Sequence, residues 1–106
     1  MTDTTRLRRL DALFAERVMG VHNPGLTWPL PEYTRSLDAA WEGAQMRFDW
    51  WVLRKITSRG HPENDLFFIA EVGKRQEKGE YSADHPAEAL VLACLRAVGC
   101  SEEEMK

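Results

Sequence analysis

The chain has 106 residues, 43% hydrophobic and 29% charged, with a net charge of −3. That is one globular domain's worth of chain, and the mixture excludes disordered, fibrous and collagen-like classes. No apolar run approaches the roughly 20 residues of a membrane span, the polar start MTDTTRLRR lacks the apolar stretch of a secretory signal, and two cysteines are too few for a disulfide scaffold, so a cytoplasmic protein is expected.

Residues 1–20 read as a helix. Leu7, Leu10, Phe14 and Val18 recur at three- and four-residue steps on one face, and Gly20 is a natural left-handed stop. Residues 21–35 hold three prolines with Trp28 and Tyr33, and form an irregular Pro/Trp loop that is too apolar for a free linker. A second helix follows over 36–48, capped by Ser36 or Thr34, with Leu37, Ala40, Trp41, Ala44 and Phe48 on its stripe. Over 49–83 the period changes to two and predicts a three-strand meander of DWWVLRKIT, LFFIAEV and EYSAD. Gly73 and Gly79 bracket a charged turn between the last two strands. Residues 84–99 make the last long helix, with Pro86 in its first turn and Gly99 as its stop, and 100–106 read as a frayed acidic tail.

The predicted fold is therefore α+β, in the order α-α-β-β-β-α, one domain over 1–106. Consecutive strands with short turns give a small antiparallel three-stranded sheet. Because Trp50 and Val52 fall on one face of the first strand and Trp51 and Leu53 on the other, both faces ask for cover. An α/β/α sandwich, with helices on both faces, is the expectation. On the same reasoning Trp41 and Trp50 belong to the core, while Trp28 and Trp51 are open to two readings, closure over a second layer of core or a platform for binding.

Several pieces in order resemble the phage ABA-sandwich domain family. They are Val18-Met19-Gly20, Trp28-Pro29, Pro31-Glu32-Tyr33-Thr34, Ala39-Ala40-Trp41-Glu42, and Ala83-Asp84 leading to Ala89-Leu90, Ala93, Leu95 and Ala97-Val98-Gly99. The resemblance runs from about residue 10 to residue 100. It implies a layered helix–sheet–helix fold and a phage or prophage accessory protein. It carries no assigned activity, and its matching positions are architectural.

Chemistry-bearing motifs are few. His22, His61 and His85 are far apart in sequence, and Cys94 and Cys100 lack metal-ligand spacing, so no metal or other cofactor is expected. There is no G-x-S-x-G elbow and no phosphate-binding glycine loop, which leaves no catalytic residue to name and weighs against an enzyme. Basic residues gather at 54–78, but residues 49–80 carry six acidic and six basic side chains. The last helix opens on Asp84-His85-Pro86-Ala87-Glu88, which repels phosphates, so nucleic acid is disfavoured. The expected function is a non-catalytic binding module, docking on a host or phage protein through Trp28, Tyr33 and Trp51. The alternative is an oligomer that sequesters a nucleotide-like anion between Trp28 or Trp51 and Lys55, Lys74, Arg75 or Lys78. No membrane contact is expected, and the open sheet edges suit a homodimer.

Overall fold

The computed structural model describes residues 4–20, 32–56 and 67–105. Most of the proline loop, with His22 and Trp28, and the turn that holds His61 lie outside them. Helix α1 (Thr4–Arg17) buries Leu10 and Phe14 on the predicted stripe, and the chain leaves through Gly20 at φ 74°. Helix α2 (Leu37–Arg47) starts at Ser36, whose Oγ accepts from the Ala39 amide at 3.3 Å. Its buried side is made of small residues, Ala40, Gly43 and Ala44. Small residues let neighbours come close: α3 packs on α2, and the Phe14 side chain of α1 reaches Gly43, where an added Cβ would lie 2.5 Å from its ring.

Strands β1 (Trp50–Ile56), β2 (Phe67–Lys74) and β3 (Glu77–Ala83) form one antiparallel sheet in the order β1-β2-β3. Helix α3 (Pro86–Ala97) follows, with His85 as its cap and Pro86 in its first turn; His85 Nδ1 accepts from the Ala87 amide at 3.2 Å. The α+β class, the element order and the sheet are those the sequence predicts.

The register sorts side chains onto two faces, because residues directly opposite in an antiparallel pair share a face. Trp51, Val72 and Gly79 lie in one row, and Leu53, Ala70 and Tyr81 in the next. This face meets α3, which packs on β2 and β3 and is itself backed by α1 and α2. Gly79 marks the closest approach. A Cβ there would run into the Ala93 carbonyl oxygen and come within 2.6 Å of the Ala97 nitrogen. The opposite face carries Trp50, Gly73 and Lys78 in one row, and Val52, Glu71 and Glu80 in another. Among the described residues no helix lies on it, so the expected cover on both faces is corrected to cover on one. The reason is composition: the outer face alternates apolar with charged side chains, and such a face can stand in water where a purely apolar one cannot.

Two further departures are local. The charged turn is shorter than expected, only Arg75 and Gln76, and Gly73 and Gly79 are strand residues rather than turn residues. The acidic tail is not frayed. Ser101 and Glu104 form a capping box, in which the Glu104 amide donates to Ser101 Oγ and the Ser101 amide donates to Glu104 Oε1, both at 3.2 Å. The box opens a short helix, α4 (Glu102–Met105), that delivers Met105 into the core at 2% exposure.

Polar contacts then fix the layers. Arg6 to Glu88 at 2.7 Å ties α1 to α3, Arg17 to Glu104 at 3.1 Å ties α1 to α4, and Arg47 to Glu77 at 3.0 Å ties α2 to β3. Each is partly solvated, so its contribution is at most about 1 kcal/mol. Asp11 differs, being buried in α1, where its Oδ1 accepts from the Thr34 amide at 2.8 Å. Burial raises its carboxyl above the ordinary 3.8, while the Thr34 amide pulls it back. A raised value means that its contribution to stability is complete below the unfolded value and declines as pH rises through the folded one. Asp11 therefore positions the turn after the proline loop at some cost near neutral pH.

Candidate functional site: the helix-free face of the sheet

The uncovered face is built from alternate residues of three strands. Trp50 on β1 is 42% exposed and Val52 is 41% exposed, large apolar side chains standing in solvent rather than in the core. This corrects the expectation for Trp50. Its indole lies flat across the sheet over Gly73, directly opposite on β2; a Cβ added there would come within 2.5 Å of the ring. Glycine at that position is what lets the ring lie down. Ile69, half-buried, continues the apolar patch along β2.

Charge crosses the same face. Arg54 Nη2 meets Glu71 Oε1 at 2.6 Å, and Glu71 stands directly opposite Glu80 on β3. A hydrogen bond shared with Glu71, and then repulsion between the two carboxylates, hold the Glu80 carboxyl above its ordinary range. Beyond them an open groove of about 610 Å³ runs from Trp50 across Lys78, Gly79 and Glu80 to Arg96 of α3. A second groove of about 420 Å³ continues along β3 past Tyr81 and Ser82, and shares Glu80 and Arg96 with the first.

The residues singled out from the sequence fall elsewhere. Trp28 lies outside the described residues. Tyr33 is buried at 5% exposure, its ring 4.5 Å from that of Phe14, and its hydroxyl is raised by that burial. Trp51 is half-buried on the helix side, edge-on to Trp41 with ring centroids 3.9 Å apart. Trp41 itself is 39% exposed, at the rim of the core rather than within it. Tyr33 and Trp51 thus do not share one exposed patch.

The cationic candidates also divide. Lys55 is exposed near the far end of β1, on the face of Trp51, and Lys78 lies on the opposite face in the groove beside Trp50. Lys74 and Arg75 come together at the β2–β3 turn, where Arg47 of α2 joins them around an open cavity of about 610 Å³. Arg75 sits there at φ 53°, in the left-handed region that glycine or asparagine occupies with less strain.

Other chemistry has little to work with. Cys94 is fully buried, burial pushes its thiol well above the ordinary value, and Cys100 is raised for the same reason. Neither thiol is a ready nucleophile at neutral pH. Among the described residues no cluster of three His, Cys, Asp or Glu side chains has the arrangement of a metal site, and no helix is long and apolar enough to cross a membrane.

The surface residues that period-two reading placed inside, Trp50 and Val52, are the ones the fold leaves outside. Arg54, two residues beyond Val52 on the same face, is the available signal, since a charged side chain there marks a face that water reaches.

No protein-family model matches the chain, and no curated protein or solved structure matches it either.

Proposed function

We propose that the protein is a non-catalytic binding module that docks on another protein through the helix-free face of its sheet. The observation that carries this reading is the pairing of Trp50 and Val52, two large apolar side chains about two-fifths exposed, next to the charged Arg54, Glu71 and Glu80 on the same face. An apolar centre with an aromatic anchor and a charged rim is the usual make-up of a protein–protein contact. In the phage setting that the family resemblance implies, the partner is a host or phage protein, and antagonism of a host defence is the role that fits.

The test starts with a photoreactive residue at position 52 to trap the partner in cells. The partner is then purified and titrated against wild-type protein and variants. Trp50→Ala is expected to weaken the affinity by tenfold or more, and Val52→Asp comparably, with the melting temperature of Val52→Asp close to wild type. An affinity unchanged by both substitutions overturns the reading.

A second reading rests on Arg75. A non-glycine residue held in the left-handed region, beside Lys74 and Arg47 at one cavity, supports capture of a phosphate-bearing small molecule at the β2–β3 turn. In this version Lys74 and Arg75 keep the role expected of them, and Lys55 and Lys78 lose it. Nucleotides and inorganic phosphate are expected to raise the melting temperature in wild type but not in Lys74→Gln/Arg75→Gln. No rise with any of them removes this alternative.

A further inference from the structure

Strand β3 is an edge strand, and its outer side is where the two grooves run. The turn of Arg75 and Gln76 closes on Lys74 opposite Glu77. A two-residue turn closes on a hydrogen-bonded pair, and hydrogen-bonded and non-hydrogen-bonded pairs then alternate along the hairpin. The amides and carbonyls of Glu77, Gly79 and Tyr81 therefore point to β2, and those of Lys78, Glu80 and Ser82 point outward. The Gly73 carbonyl, across from Lys78, agrees with this, because it faces β1 and accepts from the Asp49 amide at 3.0 Å. Among the described residues no backbone hydrogen bond reaches the outward groups of β3. A row of unpaired donors and acceptors flanked by open grooves is a template for one more strand.

The charges on this edge say which strand. Glu80 already faces Glu71 across β2, and Arg54 reaches only Glu71. Among the described residues Glu80 has no ion pair of its own, Arg54 acting on it only from its contact with Glu71. Lys78, two residues away on the same face of the same strand, has no ion pair among the described residues.

We propose that two copies of the chain pair antiparallel through their β3 edges, with Gly79 on the two-fold axis, so that Lys78 of each copy stands opposite Glu80 of the other. In a two-fold antiparallel pair, residues opposite one another must lie on the same face, which restricts the centre to a residue rather than a gap between residues. Centring on Glu80 would set four carboxylates in a line. Centring on Tyr81 sets Glu80 against Ser82 and leaves Lys78 against Asp84, beyond the end of the strand. Only the Gly79 centre makes two opposite-charge pairs within the strand, both between hydrogen-bonded residues. Crowding against Glu71 raises the Glu80 carboxyl within the single chain, and a Lys78 brought opposite by the second copy would relieve it.

The result is a continuous six-stranded sheet. Helix α3 lies over both β2 and β3, so joining two β3 edges at the ~4.8 Å strand spacing brings the two α3 helices alongside, roughly the 8–10 Å of packed helices. The uncovered faces with Trp50 merge into one surface of twice the length. The pairing does not depend on the proposed docking function, because it rests on the outward backbone groups of β3 and the Lys78–Glu80 charges rather than on Trp50 and Val52.

Sedimentation equilibrium over a wide concentration range tests it. Wild type is expected to dimerise, and Lys78→Glu and Glu80→Lys are each expected to weaken the dimer tenfold or more by setting like charges opposite. The double exchange Lys78→Glu/Glu80→Lys restores it, because both interchain pairs are reversed together. Glu80→Lys also removes the repulsion with Glu71 inside the chain, so it is expected to melt no lower than wild type as a monomer. Its loss of dimer therefore cannot be ascribed to unfolding. A wild type that stays monomeric at all concentrations, single exchanges without effect, or a double exchange that fails to restore association would each overturn the proposal.

Discussion

Phe14→Ala is expected to destabilise the protein by about 4 kcal/mol, from a total that for a domain of this size is on the order of 5–15 kcal/mol. Phe14 is fully buried on α1 and holds two other elements at once. Its ring lies against the open backbone of Gly43 on α2 and 4.5 Å from the ring of Tyr33, at the end of the proline loop. Truncation leaves a cavity that α2 cannot close by settling, because Asp11 holds the Thr34 turn in place. Urea unfolding measures the loss, and the midpoint should fall with little change in slope. A cost below about 1.5 kcal/mol would mean that α1 is a peripheral strap rather than part of the core.

Gly79→Ala is expected to cost about 3 kcal/mol although it adds only one methyl group. The obstacle is backbone, the Ala93 carbonyl and the Ala97 amide of α3, and backbone cannot rotate aside as a side chain can. Strand β3 must lift from α3, and the small-residue seam that lets the two lie close must open. The contrast with Gly73 sharpens the expectation. The atoms that a methyl group at Gly73 meets first belong to the exposed Trp50 indole, which can swing into solvent, so Gly73→Ala serves as the mild control in the same unfolding series. Equal losses at the two glycines would disprove the account of α3–β3 packing.

Much of the architecture is legible from local chemistry. The α1 stripe, Pro86 in the first turn of α3 and the glycine stops at 20 and 99 each have one physical reading, and the structure has it; of the two caps open to α2, Ser36 and Thr34, it uses Ser36. The failures share a cause: they occur where a residue's meaning depends on what lies across from it. Gly79 among Lys, Glu and Gln looks like turn chemistry, and nothing nearby in sequence announces that Ala93, fourteen residues later on α3, will press on it. Trp50 and Trp51 are adjacent and chemically identical, so only the register to β2 decides which one meets the helices. The α4 turn is different, because its Ser101…Glu104 capping box was in plain view and the acidic run concealed it.

The candidate site was harder to see for a related reason. A face that is half apolar and half charged satisfies both a buried and an exposed reading of its apolar half. The lysines and arginines from 55 to 78 form one cluster in sequence, but the strand alternation deals them to two faces and a turn.

The contact between Trp41 and Trp51 makes the molecule its own spectroscopic probe. Two indoles 3.9 Å apart between centroids and inclined at 69° have strongly coupled, non-parallel transition dipoles, and such a pair splits its ultraviolet band into lobes of opposite sign in circular dichroism. One indole belongs to α2 and the other to β1, so the couplet exists only while helix and sheet are docked. Its amplitude would follow the closing of that seam in real time, without a dye or an introduced label.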